Sequence, residues 1–363
     1  MTETQGATET IATQARQTGA GGAGGGAERT ATEILTEVKK LVEPELERRV
    51  EGLHPTMRAI ARYHFGWQDA QGRPDPAGSG GKALRPALAV LGARAVGAAG
   101  DEAAVLDAAC AVELIHNFSL LHDDIMDGDR TRRHRPTAWT VFGQNQTLLA
   151  GCALQTLAFE VLAERSPTAA GALAGSVQLL IAGQSEDLDL AGNEAATVEQ
   201  CMRMESGKTA SLLAASASLG AQAYGASAEQ VRLLAEYGHH LGMAFQLVDD
   251  MLGIWGETGT TGKPVAADLA ARKRSAPVVA ALSAGSEASE RLRAVLAREG
   301  ELSPADLVVA ADLVEQAGGR SWTRDRADLH TREALARLDR LAPHPNALAD
   351  LAEVTRFLLS RTW

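Results

Sequence analysis

Residues 113–139 read ELIHNFSLLHDDIMDGDRTRRHRPTAW, and this stretch decides what kind of chain the rest must be. Its pattern up to Met126 predicts a helix, which Gly128 ends. On that helix Asp123 and Asp127 are four apart and share a face, with Asp124 beside them and His116 two turns earlier on the same side. Carboxylates at that spacing repel. Next to Ile125 and Met126 they are destabilising unless a cation sits among them, and Mg²⁺ is the hard, oxygen-seeking candidate. The plainer alternative is a solvated acidic helix end. Beyond Gly128 stand Arg130, Arg132, Arg133 and Arg135, whose guanidinium forks suit phosphate oxygens. Carboxylates and arginines together imply a diphosphate held partly through metal, against simple Asp–Arg salt bridging.

Some 125 residues on, GMAFQLVDDMLGIWG (242–256) carries Asp249 and Asp250 with Gln246 one turn before Asp249. Buried acids need partners, so two such helices facing each other would form a cage for divalent ions. The polar stretch GKPVAADLAARKRSAP (262–277) follows, with Lys263, Asp268 and Lys273 on a loop able to close over phosphates. A solvated loop lysine is the alternative for Lys263. GKALRP (81–86) puts Lys82 and Arg85 three apart at a helix start, where backbone N–H groups also attract anions. Lys208 and Thr209 follow Gly207 inside an apolar helical stretch, which suggests an inward-facing cation near a kink. Either basic pair could be structural.

Outward from these motifs the period stays helical, at about 84–98, 102–127, 143–163, 168–188, 197–220, 227–254, 274–284, 287–298, 304–317, 322–341 and 346–359. Ile34, Leu35, Val38, Leu41 and Val42 mark an earlier amphipathic helix, and the Gly- and Pro-rich stretch 67–81 breaks the pattern. Strand-like alternation bounded by hairpin turns is missing, so the expectation is one all-α domain over residues 29–363. Residues 1–28 are Thr, Gln, Ala and Gly with hardly a large apolar side chain. They predict a disordered tail, either a plain extension or a docking tag for a partner or protein shell. The formal net charge of −11 argues against a general nucleic-acid binder, so an anionic ligand must be drawn by local basic clusters. Cys110, Cys152 and Cys201 lack metal-type spacing. With no apolar run of the roughly 18 residues a span needs and no signal-peptide layout, the expectation is a soluble, cytoplasmic protein.

In its motifs the chain after about residue 45 resembles the trans-isoprenyl diphosphate synthases. The resemblance rests on the ordered set GKALRP, ELIHNFSLLHDDIMD, RR before PT, Gly183-Gln184 with Asp187, GKT, FQLVDD, and GKPVAADL followed by a lysine. It implies a single large helical bundle of the isoprenoid synthase type around a central catalytic cavity, and a homodimer. It also implies that Lys82, Arg85, His116 and Arg133 hold the diphosphate of isopentenyl diphosphate. Arg132, Lys208, Thr209, Gln246 and Lys263 would hold the allylic diphosphate. Asp123, Asp127 and Asp249 would bind Mg²⁺, three ions in all, with Asp124 and Asp250 in support.

One departure concerns the second motif, which in that family usually ends in a further Asp; here Gly253 stands four residues after Asp249. Such a site could hold its third metal weakly or mark an inactive partner subunit, although the rest of the set is intact. For product length, the residues that help to set the channel floor in that family are Ser119 and Phe118 here. A small Ser119 leaves room past C15 and Phe118 obstructs much longer chains, a pattern that resembles geranylgeranyl (C20) synthases. The alternatives are a farnesyl or other-length synthase, a class I terpene cyclase and a non-catalytic partner or cargo subunit. A cyclase would need an Asn/Asp, Ser/Thr, Glu metal motif where this chain has an Asp pair, and it would have no use for a second basic set.

Overall fold

Thr30 opens the first helix with a reciprocal cap: its hydroxyl accepts from the Glu33 amide at 3.3 Å, and the Glu33 carboxylate accepts from the Thr30 amide at 2.9 Å. Such caps contribute about 1 kcal/mol and fix where a helix begins. The computed structural model describes residues 29–75, 81–256, 265–341 and 344–360. Helix α1 (Ala31–Glu51) turns Ile34, Leu35, Val38, Val42, Leu46 and Val50 inward, the face expected from their spacing. It is followed by α2 (Pro55–His64), α3 (Leu84–Ala95) and α4 (Ala103–Met126), which carries the first acidic cluster.

Next come a hairpin, β1 (Thr131–Arg132) and β2 (Arg135–Pro136), then α5 (Ala138–Phe142), α6 (Gln144–Ala163) and α7 (Pro167–Leu190). Helix α8 (Val198–Glu205) passes through a π-helical turn (Ser206–Ala210) into α9 (Ser211–Tyr224). Helix α10 (Ala228–Trp255) carries the second acidic cluster and is about 42 Å long at 1.5 Å per residue. The chain ends with α11 (Ala267–Ala270), α12 (Ala276–Ser283), α13 (Glu287–Leu296), α14 (Pro304–Gln316), α15 (Gly319–Leu338) and α16 (Pro345–Leu359).

Helix α9 is the hub, buried along most of its length and packed on α3, α4, α7 and α10. It therefore holds the two acid-bearing helices on either side of one axis. Helix α10 runs against α15 on its far side. Two smaller apolar clusters support its last turns, one around Leu247, Val248, Met251 and Val279, the other around Ile254, Leu269, Val278 and Leu313. The acids of α10 thus stand on packed apolar ground.

The architecture is the all-α bundle that the period predicts, and most helix limits fall within a few residues of expectation. Three points differ. The stretch expected as one helix over 197–220 is broken by the π turn at Gly207 and Lys208, which is the kink their context suggested. Helices α2, α5 and α11 were not foreseen: α2 starts at Pro55 directly after a Gly-bearing turn, α5 spans five residues, and α11 spans four inside the stretch expected as a loop. A hairpin does occur: Arg132 pairs with Arg135 across Arg133 and His134, both left-handed at φ 51 and 61. Neither is the glycine such a turn prefers, so no turn signal was legible. Ala103–Met126 and Gln144–Ala163 are long and apolar enough by composition to cross a bilayer, contrary to the run-length expectation. The most apolar window of the first is 72% buried within the bundle, as a core helix requires. The expectations for residues 1–28 lie outside the described residues.

Candidate active site

Asp123 and Asp127 sit on the last turn of α4, the second as its C-terminal cap, with the Asp127 amide donating to Asp123 O at 2.8 Å. Burial pushes the Asp123 carboxyl up to about 6; Lys208 opposes this and Asp127 adds to it. Asp124, one residue on, is 1% exposed and accepts from Arg132 Nε at 2.7 Å. Its other oxygen, Oδ2, is buried and takes no hydrogen bond among the described residues. Burial raises its pKa against the pull of Arg132.

The hairpin after α4 splits the four arginines. Arg135 is committed to structure: it donates to the carbonyls of Tyr63 (3.1 Å) and Gln68 (2.9 Å) and lies over the Tyr63 ring. Arg130 stacks on Trp139. Arg132 turns to Asp124. Arg133 lies against Gly81, where a Cβ would be 2.9 Å from its Nη2. Two left-handed non-glycine residues cost of order 1–2 kcal/mol each, and the turn they make sends two adjacent guanidiniums to different places.

Arg133 joins Arg85, whose Nε is buried without a hydrogen-bond partner among the described residues. Burial lowers the Arg85 pKa to about 10, with Glu113 raising it and Arg133 lowering it further. Helix α3 begins beside them at Leu84 without a side-chain cap, so its first N–H groups add positive potential. His116 and His64 complete the group. Burial, then Arg85 and Arg133, holds His116 well below its ordinary range, while burial, then Arg133, Arg132 and Arg135 of the hairpin, brings His64 to about 3. His64, on a helix the sequence did not reveal, lines a small cavity with Asp124, Arg132, Arg133 and Arg135. Lys82 is exposed at the edge, its Nζ 5.5 Å from the centre of the Phe357 ring.

On the other side, Lys208 lies in the π turn and donates to Asp187 at 2.6 Å. That meeting depends on two glycines: a Cβ on Gly183 would fall 2.1 Å from Lys208 N, and one on Gly207 2.9 Å from Leu179 O. Thr209 Oγ1 donates to Gln246 (2.8 Å), Gln246 Nε2 donates to Asp250 Oδ1 (2.7 Å), and the Ala276 amide donates to Asp250 Oδ2 (2.7 Å). Asp250 is nonetheless pushed up to about 7, by burial first and by Asp268 next. Glu205 was missed by sequence reasoning. Burial and the neighbouring Asp250 hold its carboxyl well above the usual range, and a glutamate three residues before a lysine on an amphipathic helix carries no signal of that.

The two sides meet electrostatically. Desolvation pulls the Lys273 pKa down, yet Asp268, Asp127, Asp187 and Asp250 together leave it raised. Asp249 likewise acts on Arg85. The structure therefore brings together Arg85, His116, Asp123, Asp124, Asp127, Arg132, Arg133, Lys208, Thr209, Gln246, Asp249 and Asp250. Phe118 and Ser119 lie below, Phe118 edge-on to His122 at 4.9 Å and Ser119 half-buried with its hydroxyl on His116 O. Lys263 lies outside the described residues. No three metal-ligating side chains converge as they stand among the described residues, but the donors are of the kind a divalent cation takes: repelling carboxylates at Asp123 and Asp127, a buried Asp124 oxygen without a hydrogen bond among the described residues, and hard oxygen atoms only.

Comparison with known proteins matches this chain to a family. Residues 75–312 match the family model described as Polyprenyl synthetase. The chain is 40% identical over 340 residues to a (2E,6E)-farnesyl diphosphate synthase of Mycobacterium tuberculosis, covering 92% of this chain and 94% of that one. It is 41% identical over 321 residues to a geranylgeranyl diphosphate synthase of the same organism, covering 87% and 91%. A crystal structure of a polyprenyl synthetase from Streptomyces coelicolor superposes with a TM-score of 0.86 at 44% identity, covering 91% of this chain and 99% of that one. The chain is a trans-prenyltransferase of the polyprenyl synthetase family, a prenyl diphosphate synthase with the all-α isoprenoid synthase fold.

Proposed function

We propose that this enzyme condenses isopentenyl diphosphate with C5, C10 and C15 allylic diphosphates and releases mainly the C20 product, geranylgeranyl diphosphate. The observation that carries a two-substrate reaction is the separate pair of buried cations, Arg85 and Arg133, with the neutral His116 and His64 rings beside them at the uncapped start of α3. Glu113 is the carboxylate acting on both, and the pair stands apart from the Lys208, Thr209 and Arg132 group near the acids. Arg85, Arg133 and His116, with Lys82 at the rim, hold the isopentenyl diphosphate. Lys208, Thr209, Gln246 and Arg132, with Lys263 from the following loop, hold the allylic diphosphate.

Asp123, Asp127 and Asp249 are the residues that would hold Mg²⁺, three ions in the full complex, with Asp124 and Asp250 in support. The metal when bound neutralises the departing diphosphate. Lys208 and Arg132 add fixed positive charge where negative charge develops as the allylic C–O bond breaks. In the free protein both cations are held by carboxylates, Asp187 and Asp124, and so are aimed before substrate arrives. The isopentenyl double bond attacks the allylic carbocation, and the proton lost afterwards passes to the released diphosphate.

The C20 assignment is supported by Ser119, small and half-buried one turn before Asp123, with Phe118 packed behind it. A C15 product is the second reading, favoured by the name of the Mycobacterium tuberculosis farnesyl diphosphate synthase. A homodimer in the cytoplasm completes the proposal. Ile181 and Leu188, seven residues apart on one face of α7, are 44 and 48% exposed, apolar surface of the kind that a second copy covers. The deciding experiment is incubation with labelled isopentenyl diphosphate, Mg²⁺ and each allylic primer, followed by chromatography of the dephosphorylated products. We expect a C20 alcohol. A C15 alcohol would replace the length assignment, and no product from any primer would overturn the proposal.

A further inference from the structure

The last turn of α10 has a gap that another segment fills. Gln246, Asp249, Asp250 and Gly253 recur at the three- and four-residue steps of one helix face. A Cβ on Gly253 would stand 2.2 Å from Asp268 Oδ2, 2.5 Å from its Cγ and 3.0 Å from Oδ1. The Asp268 carboxylate thus lies where a side chain at position 253 would begin.

Helix α11 delivers it there. Ala266 enters that helix in left-handed backbone, φ 59, and Leu269 is 1% exposed in the apolar cluster that also contains Ile254. The neighbours of Asp268 and Gly253 are therefore buried in one apolar cluster, and the two helices are in contact, which holds α11 against α10. Asp268 acts on Asp250 and on Lys273, and Lys273 also registers Asp127 and Asp187. Its charge is thus felt by Asp250 on α10 and by a lysine that also senses Asp127 at the end of α4.

We propose that Asp268 supplies the third acid of the second cluster from the loop that follows it, and that residue 253 is glycine because the Asp268 carboxylate takes its side chain's place. This rests on the synthase reading above, since the cation concerned is the one that Asp249 would hold with the substrate diphosphate. Adding a hard anionic oxygen to Asp249 raises divalent-cation affinity.

The test is titration of the full-length protein with Mn²⁺ in the presence of inorganic diphosphate, reading free Mn²⁺ by electron paramagnetic resonance. Asp268→Asn keeps the shape and removes the charge, and it should weaken Mn²⁺ binding by about tenfold or more. Gly253→Asp alone should lower Tm, because its side chain collides with Asp268. Joined to Asp268→Ala, it restores a carboxylate from the helix and should bring Mn²⁺ affinity back to within about threefold of the parent. Parental affinity in Asp268→Asn, or a double variant no better than Asp268→Ala alone, overturns the inference and leaves the synthase reading standing. If the parent protein takes up no Mn²⁺ with diphosphate, both fall together.

Discussion

Asp123 carries two costs in the free protein: it is desolvated, and it faces Asp127 one turn away. Both disappear when a cation arrives, and both disappear when the carboxylate is removed. Asp123→Ala should therefore lose turnover by about 10³-fold while melting at or slightly above the temperature of the parent, checked by product assay and calorimetry. Retained activity would remove Asp123 from the metal set. Ser119 tests a different function of the same helix. Its hydroxyl is satisfied internally by His116 O at 2.8 Å, so its value lies in its size. Ser119→Phe should shorten the product by at least one five-carbon unit, seen in the chain lengths of the released alcohols. An unchanged distribution would put the channel floor elsewhere.

Between elements, the contact of α10 with α15 contains a titratable seam. The His240 and His330 rings share a hydrogen bond between their Nδ1 atoms at 2.9 Å, which requires at least one of them to be neutral. Burial, then His240, His239 and Arg326, brings the His330 pKa down to about 4. A folded value below the unfolded one means that the neutral form is favoured on folding. The stability is present above the unfolded pKa of about 6.5 and is lost as pH falls through the folded value. Because the site is only partly buried, we expect of order 1–2 kcal/mol between pH 6.5 and 4. His330→Asn keeps a polar partner that does not titrate, so the gap in Tm between parent and variant should shrink across that window. A constant gap would show that the pair does not titrate with folding.

At the scale of the molecule, Ile181 and Leu188 expose apolar surface along one face of α7. A second copy covering it would give a particle of twice the 38.0 kDa chain. Ile181→Asp places a charge in that face without touching the core, and it should halve the mass seen by light scattering while leaving the helical content unchanged. A parent protein already monomeric at micromolar concentration would remove the homodimer from the proposal.

The helical class, nearly every long helix and both acidic clusters follow from local information, because an apolar period of 3.6 and the spacing of Asp123 with Asp127 are properties of one segment read alone. An irregularity near Lys208 was legible for the same reason, through a glycine and a cation inside an apolar helix, but its form, a π-helical turn, was not. What the tertiary structure decided are the relations between segments. Arg130 and Arg135 look identical to Arg132 and Arg133 in sequence, and only the left-handed turn at Arg133 and His134 separates structural from site-facing guanidiniums. His64 and Glu205 owe their shifted pKa values to burial by distant helices. Gly253 read alone is a missing acid; Asp268 stands at its place because α11 packs on α10 through the apolar cluster that holds Leu269 and Ile254, a relation between segments that no local pattern encodes.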